Sequence, residues 1–288
     1  MSNTLRYLFL SSRPISWLNT AYPFAAGYLL VTHNFTIELL LGTLYFLIPY
    51  NLLLYGINDV FDYESDILNP RKGGLEGAKL AKSQHKGIIV ASLITNVPCI
   101  LGILLWGSTA AKLTFLFVIC MVLAYSVPKL RFKEIPFLDS VTSSTHFSGP
   151  LVYALVLTGW EWSYVPYVAA FFLWGMASHA FGAVQDIPSD RKGALSSIGT
   201  VLGAKVTVRF AAALYVLAFV ALLGEGTAAL LCGLTSFFYC ANVARYFSVN
   251  DATAEQTNPG WRRFIWLNML TGFTITMVLI QVYLGNLA

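Results

Sequence analysis

Two short stretches of the chain carry carboxylate side chains at a spacing suited to metal binding. In the first, a helix extended through the stretch places Asn58, Asp62 and Asp66 at successive i, i+4 positions on one face. Asp59 lies beside them. Three aspartates so close together would repel one another unless a cation lay among them. We therefore interpret this first cluster as a metal site in preference to a solvated helix end.

The second cluster contains Asp186 and Asp190, again four residues apart, with Pro188 between them, which should kink or restart the helix. Two aspartates at this spacing are a weak signal alone, but two such clusters on one membrane face could hold a pair of metal ions bridged by a diphosphate. Oxygen ligands without a nearby His or Cys favour Mg²⁺. The predicted Mg²⁺ ligands are Asn58, Asp59, Asp62, Asp66, Asp186 and Asp190.

Basic residues near these clusters could bind the diphosphate itself. Arg71 and Lys72 follow the first cluster, and Lys129 and Arg131 lie in a loop that begins just after Tyr125. Positive-inside topology alone would place basic residues in these loops, so each taken singly is better explained as a topological anchor. For Lys129 and Arg131 the two explanations are equally good. The predicted diphosphate-binding residues are Lys129, Arg131, Arg71, Lys72 and Tyr125, and the predicted catalytic residues are Asn58, Asp62, Asp186 and Lys129.

If the diphosphate is attached to an allylic carbon, its departure leaves a resonance-stabilised carbocation on the rest of the donor. Such a reaction needs the leaving group neutralised and water excluded. Two histidines lie inside apolar segments. His146 is a candidate for a role in ending the reaction, although an interior histidine bonded to a neighbouring helix is the favoured interpretation. His179 lies seven residues before Asp186, on the same side of its helix, and Asp139 could orient a basic neighbour.

The elements that must position these residues are membrane-spanning helices. Apolar residues make up 57% of the chain and charged residues 11%, against about 25% charged in soluble domains. Apolar runs long enough to cross a bilayer predict an all-α, multi-span transmembrane bundle of about nine helices, forming a single membrane-embedded domain over residues 1–288. The predicted spans are 15–32, 36–57, 87–106, 109–127, 137–158, 164–184, 206–224, 227–244 and 264–285.

The distribution of basic residues supports this count. All but one of the 18 Lys and Arg residues fall in the N-terminal segment or in loops on one side of the membrane, and Lys112 alone falls on the other. The positive-inside rule then predicts a cytoplasmic N-terminus and a C-terminus on the opposite side. The net charge of +4 reflects this topology and gives no indication of nucleic-acid binding. The four cysteines lie within spans without a C-x-x-C pair and are interpreted as small core residues.

The motifs N-D-x-x-D-x-x-x-D after the second span, Y-S-x-P-x-L-R-x-K after the fourth and D-x-x-x-D after the sixth resemble the UbiA superfamily of intramembrane prenyltransferases. Arg13-Pro14 before the first span also resembles a feature of that family. The resemblance covers essentially the whole chain. It implies Mg²⁺-dependent transfer of a prenyl group from its diphosphate to a lipophilic acceptor, with both acidic motifs binding the metal.

Several stretches are specifically similar to the lycopene elongases of fifty-carbon carotenoid synthesis, among them residues 58–77, 131–140 and 179–191. This similarity implies dimethylallyl diphosphate as donor and lycopene as acceptor, with the final cation quenched by water or by proton loss. Residues 141–149 depart from that pattern. The alternatives within prenyl transfer are an aromatic acceptor or a glycerol phosphate head group. A secondary transporter is the alternative from another class, but the acidic residues lie at the membrane edge rather than near its midplane.

Overall fold

A computed structural model describes residues 3–68 and 80–287, and every regular element within these ranges is a helix. The α-helices are α1 (Asn3–Ser11), α2 (Trp17–Thr32), α3 (Ile37–Leu47), α4 (Pro49–Asn51), α5 (Ile57–Phe61), α6 (Tyr63–Leu68), α7 (Lys82–Trp106), α8 (Thr109–Ser126), α9 (Leu138–Thr158), α10 (Val165–Val184), α11 (Ile187–Lys192), α12 (Ile198–Leu202), α13 (Ala204–Val220), α14 (Thr227–Leu234), α15 (Ser236–Ala244) and α16 (Asn258–Tyr283). A π-helical turn covers Leu52–Gly56, and 3₁₀ turns cover Pro14–Ser16, Phe132–Glu134, Trp162–Tyr164 and Asp251–Thr257.

Each of the nine predicted spans lies on one or more of these helices, which confirms the all-α, multi-span architecture. Six stretches of the described chain are long and apolar enough to cross a bilayer by length and composition alone: Ile37–Phe61, Lys82–Leu105, Thr109–Ser126, Trp162–Val184, Thr227–Ala244 and Asp251–Tyr283. Three of the nine predicted spans are not among these six. Two of them lie on α2 and α13, which have only 16 and 17 residues, and the third lies on α9, which carries a run of hydroxyl side chains. The six long apolar stretches make the chain a multi-pass membrane protein.

The chain packs as two compact units. The first comprises Met1–Phe132 and Thr145–Trp160, and the second comprises Lys133–Ser144 and Glu161–Ala288. Helix α9 thus contributes residues to both. The single domain expected from the sequence stays a prediction.

Aromatic rings form the core of the first unit. Phe24, Phe46, Tyr50, Phe115 and Tyr153 are all buried. The ring centroids of Phe46 lie 5.1 Å from those of both Phe24 and Tyr50. This spacing is within the range in which aromatic pairs attract one another beyond their area burial. Helices α2, α3 and α8 are thereby held around the segment that carries the first acidic cluster.

The second predicted span is interrupted before it reaches the acidic cluster. Helix α3 ends at Leu47, Pro49 opens the three-residue α4, and the π turn follows. The buried Asn51 donates its amide to the Phe46 carbonyl at 2.8 Å and to the Thr20 hydroxyl at 2.7 Å. Because the π turn lies between Asn51 and Asn58, regular α-helical spacing does not relate their two side chains.

The second unit is centred on α10, which packs along α13. Phe181, Tyr215, Tyr239 and Phe264 form its aromatic core, with centroids 5.3 Å apart for Tyr215 and Tyr239 and 5.4 Å apart for Tyr239 and Phe264. Helix α10 ends at Val184, and α11 begins at Ile187 with Pro188 in its first turn. The predicted restart of the helix at this proline is confirmed.

Candidate active site

Asn58 and Asp62 form the centre of the first acidic cluster. The Asn58 amide donates to Asp62 Oδ2 at 2.7 Å and to Ser126 Oγ at 3.0 Å. Asp62 is 7% exposed, and its Oδ1 lies 3.7 Å from Arg131 Nη2. A carboxylate, an amide oxygen and a guanidinium group are thus brought together at the ends of α5 and α8. These are the chemical groups that would bind a metal diphosphate.

The local backbone explains why this contact forms. Asp62 N still donates to the Asn58 carbonyl at 2.9 Å, so the i, i+4 relation between the two side chains is preserved. Helix α5 ends at Phe61, however, and Asp62 has φ −98° and ψ 3°. The prediction that Asn58 and Asp62 lie on one helical face is therefore correct. The helix expected to continue through the cluster is interrupted at Asp62, however. The side chain of Asp66 lies outside the part of the chain that the structure describes.

Asp59 has an arginine partner that sequence reasoning did not assign. Its Oδ1 accepts a hydrogen bond from Arg13 Nη2 at 2.9 Å, and the Asp59 side chain is fully buried. The same guanidinium group lies 4.4 Å from the ring centroid of Tyr55. Arg13 has φ 48°, in the left-handed region, directly before Pro14. The resulting turn aims the Arg13 side chain at α5, so this partner orients or neutralises Asp59.

The loop after α8 presents two of the predicted basic residues in strained conformations. Lys129 and Arg131 have φ 76° and 41°, which non-glycine residues seldom adopt and which cluster at functional loops. Pro128 ends the helix, and the amides of Leu130 and Arg131 both donate to the Val127 carbonyl at 3.2 and 3.1 Å. This tight turn points Arg131 at Asp62 and leaves Lys129 exposed.

Tyr125 and His146 contact each other within the first unit. Their rings meet edge to face, with centroids 5.1 Å apart. His146 is 3% exposed, its Nε2 lies 3.4 Å from the Met121 carbonyl, and its own carbonyl accepts a hydrogen bond from Tyr50. These contacts favour the interpretation of His146 as an interior polar residue bonded to neighbouring helices. The diphosphate-binding role of Tyr125 stays a prediction.

The second acidic cluster is a compact helical turn. Asp186 precedes α11, and its carbonyl accepts the Asp190 amide at 2.8 Å and the Ser189 hydroxyl at 2.9 Å. Asp190 Oδ2 lies 3.4 Å from Ser197 Oγ. Both aspartates are half-buried. The i, i+4 spacing inferred from the sequence is therefore retained even though Pro188 lies between them.

Neighbouring polar residues hold this turn in place. The buried Gln185 accepts a hydrogen bond from Asn258 at 2.7 Å. Arg191 pairs with Asp251 at 2.7 Å, and Asp251 also accepts the amide of Ala204 at 2.7 Å. Arg191 thus ties α11 to the segment that precedes α16. Sequence reasoning missed these partners because the two residues of each pair lie on different helices. The pairs that involve Asn258 and Asp251 are separated by 47 or more residues in the chain.

Two predicted diphosphate ligands fall outside the described residues. Arg71 and Lys72 belong to the segment 69–79, so their places are not part of the described structure. Glu64, by contrast, was expected to be an exposed charge off the acidic stripe. Its side chain is 85% exposed and pairs with Lys82 at 3.0 Å.

The donors around Asn58 fit a magnesium ion bound together with a phosphate. Asn58 uses its amide nitrogen for its contacts with Asp62 and Ser126, and its carbonyl oxygen has no hydrogen-bond donor among the described residues. No group of three or more His, Cys, Asp or Glu side chains in residues 3–68 and 80–287 gathers closely enough to hold a metal ion alone. Mg²⁺ usually takes one or two protein carboxylates and completes its shell with water and substrate phosphate.

Comparison with known proteins identifies the family. Residues 20–278 match the UbiA prenyltransferase family. A lycopene elongase/hydratase of Corynebacterium glutamicum is 47% identical over 285 residues, covering 98% of this chain and 99% of that protein. The C(50) beta-cyclic carotenoids biosynthesis protein LbtBC of Dietzia sp. is 50% identical, covering 96% of this chain and 65% of that longer protein. A lycopene elongase/hydratase of Halobacterium salinarum is 35% identical over 74% of this chain and 77% of its own length.

Solved structures agree at the level of the fold. A UbiA homolog from Archaeoglobus fulgidus, determined with DMAPP and Mg²⁺, superposes with a TM-score of 0.67 at 18% identity, covering 94% of this chain and 99% of that one. The apo structure of a UbiA homolog from Aeropyrum pernix gives 0.66 at 18% identity, covering 91% and 98%. With a helical membrane fold, two aspartate clusters and relatives of this identity, the chain belongs to the UbiA prenyltransferase family and is a prenyltransferase.

Proposed function

We propose that this chain transfers a dimethylallyl group from dimethylallyl diphosphate to lycopene, in the formation of fifty-carbon carotenoids. The observation that carries the proposal is the Asn58, Asp62 and Arg131 arrangement in a prenyltransferase whose near-full-length relatives are named lycopene elongase/hydratase. The arrangement supports an anionic, metal-bound diphosphate donor. The relatives' names support the acceptor.

Within this proposal the carboxylates and the basic residues have separate tasks. Asn58 and Asp62 would hold Mg²⁺ in the first unit, and the sequence motif implies the same role for Asp186 and Asp190 in the second. Bound Mg²⁺ would neutralise charge that develops on the diphosphate as it departs. Arg131 would bind the diphosphate oxygens by its two-pronged guanidinium group, for which it is better suited than a lysine.

Other predicted residues have supporting tasks. Lys129, exposed on the strained loop after α8, would supply a mobile positive charge to the same diphosphate. Asp59 is fully buried against Arg13, and we assign it to fixing the position of α5 rather than to direct contact with the donor. Arg71, Lys72 and Asp66 keep the diphosphate-binding and metal-binding roles that the sequence motif implies.

Lycopene is an all-hydrocarbon acceptor, which dissolves in the bilayer and has no head group for a protein to bind. A site for it needs apolar and aromatic walls instead of charged ones. Water exclusion in such surroundings protects an allylic cation from hydrolysis before it meets the acceptor. The cytoplasmic N-terminus predicted from the basic loops would place both acidic clusters on the cytoplasmic side.

The decisive test uses purified protein in liposomes of neutral lipid, supplied with dimethylallyl diphosphate, Mg²⁺ and lycopene. We expect forty-five- and fifty-carbon products by mass spectrometry. A parallel reaction offers aromatic acids in place of lycopene. Unchanged lycopene beside a prenylated aromatic product would overturn the acceptor and leave the prenyl-transfer chemistry intact. Release of diphosphate without prenylation of either lycopene or an aromatic acid would overturn both acceptor assignments.

A further inference from the structure

A buried polar group in the second unit is not used by the diphosphate chemistry. Asp139 is fully buried near the start of α9. Its Oδ1 accepts the amide of Ser140 at 2.6 Å and the Ser140 hydroxyl at 3.2 Å, and its Oδ2 accepts the amide of Ile198 at 2.7 Å. A buried carboxylate with three donors is held in one orientation.

Ser140 connects this carboxylate to a histidine. Ser140 Oγ lies 3.1 Å from His179 Nδ1. Because the Ser140 hydroxyl proton is donated to Asp139, its oxygen accepts the Nδ1 proton of His179. In the neutral ring the lone pair then lies on Nε2, which is the atom that can take up a proton. Asp139 offsets the positive charge that the ring would gain.

The position of His179 suits a role at the acceptor rather than at the diphosphate. It lies near the end of α10, seven residues before Asp186, which follows the end of that helix. At a rise of about 1.5 Å per residue, the two positions are about 10 Å apart along the axis. That separation leaves room for the five-carbon group between a diphosphate bound near Asp186 and the imidazole. His179 is half-buried, whereas Asp139 and Ser140 are fully buried.

We propose that His179 is the base that activates water in the last step of the reaction, with Ser140 and Asp139 as positioning residues. This inference rests on the proposed function. The donor C–O bond breaks with its electron pair going to the diphosphate. The terminal double bond of lycopene supplies the electron pair of the new C–C bond and is left as a tertiary cation. A water oxygen then forms a C–O bond to that cation, and the water proton passes to His179 Nε2.

A second outcome competes with this hydration. The cation can lose a proton from a neighbouring carbon to the released diphosphate, and the C–H electron pair then forms a carbon–carbon double bond. His179 would therefore decide the fraction of product ends that carry a hydroxyl group. Since C–C bond formation comes before water addition, removing the base changes this fraction more than it changes the release of diphosphate.

The test compares His179→Asn with the wild-type protein in the liposome reaction. Asparagine can still donate a hydrogen bond to Ser140 but cannot accept the proton. We expect the ratio of hydroxylated to unsaturated ends to fall roughly tenfold or more, the scale of a lost general base. Diphosphate release should stay within about threefold of wild type, since it reports the earlier steps. Ser140→Ala should move the ratio in the same direction and tests the link if His179→Asn does not fold.

The matched control is His146→Asn, at the buried histidine that contacts the Met121 carbonyl. If His146→Asn lowers activity, it should reduce hydroxylated and unsaturated product ends by the same factor and leave their ratio unchanged. An unchanged ratio in both His179→Asn and Ser140→Ala, with wild-type protein converting lycopene, would overturn the inference alone. Wild-type products with unsaturated ends only would also overturn it. Failure of the wild-type protein to convert lycopene would overturn the proposed function and the inference together.

Discussion

Asp62 offers the sharpest test of the diphosphate site, through the substitution Asp62→Ala. The side chain is 7% exposed, accepts a 2.7 Å hydrogen bond from Asn58 and lies 3.7 Å from Arg131. Glu64, two residues further along, is 85% exposed and pairs only with the surface residue Lys82 among the contacts that the structure describes. Glu64→Ala is therefore a control of equal charge change in nearly the same place.

The expected size of the effect on the reaction exceeds the expected effect on folding. Removing one key electrostatic group from such a site costs about 2–4 kcal/mol of transition-state stabilisation, or roughly 30- to 1,000-fold in rate. The stability cost should be about 1–2 kcal/mol, the scale of one lost hydrogen bond to a charged group. Arg131 keeps 28% of its side chain exposed, so water can solvate its charge once Asp62 is gone.

The assay measures kcat and KM for dimethylallyl diphosphate at several Mg²⁺ concentrations, beside a thermal unfolding curve of each variant in detergent. Asp62→Ala should unfold near the wild-type temperature, lose at least about 30-fold in kcat/KM and need more Mg²⁺ for half-maximal activity. Glu64→Ala should stay within about twofold of wild type, as expected for an exposed ion pair. Equal activity of the two folded variants would refute the assignment of Asp62 to the site.

Three further predictions follow from the same contacts. Excess EDTA should abolish prenyl transfer and added Mg²⁺ or Mn²⁺ should restore it; full turnover in chelator would contradict the metal assignment. Arg13→Leu should lower the free energy of unfolding by about 3–5 kcal/mol, because it removes the guanidinium partner of the buried Asp59 carboxylate. Arg13→Leu combined with Asp59→Leu should recover part of that loss in the same denaturation assay. Asp186→Ala should reduce product formation by roughly a hundredfold or more while the protein stays inserted in the membrane, as measured by flotation with liposomes; near-wild-type turnover would remove the second cluster from the site.

Much of the architecture was predictable because a bilayer leaves a chain few choices. Backbone polar groups in hydrocarbon must be satisfied within the segment, so long apolar runs can only be helices. The nine runs accordingly coincide with helices in the structure. The restart at Pro188 was also predictable, since proline lacks an amide proton and is tolerated in the first turn of a new helix.

Local spacing likewise determined the short-range contacts of the site. Asn58 and Asp62 meet because residues four apart on a helix are neighbours. The same rule keeps Asp186 and Asp190 on one turn. It does not relate Asn51 to Asn58, because the π turn at Leu52–Gly56 alters the register within what the sequence presents as one apolar run.

Contacts between helices distant in the chain were decided by the tertiary structure alone. Arg13 reaches Asp59 across 46 residues, Asn58 reaches Ser126 across 68, and Ser140 reaches His179 across 39. No periodicity encodes such pairs, because each depends on which helix faces which and at what depth they cross. Residue type and spacing therefore determined that this protein has a membrane bundle with two acidic motifs. Packing between helices decided which arginine accompanies Asp59, which accompanies Asp62, and which histidine meets Ser140 beside a buried carboxylate.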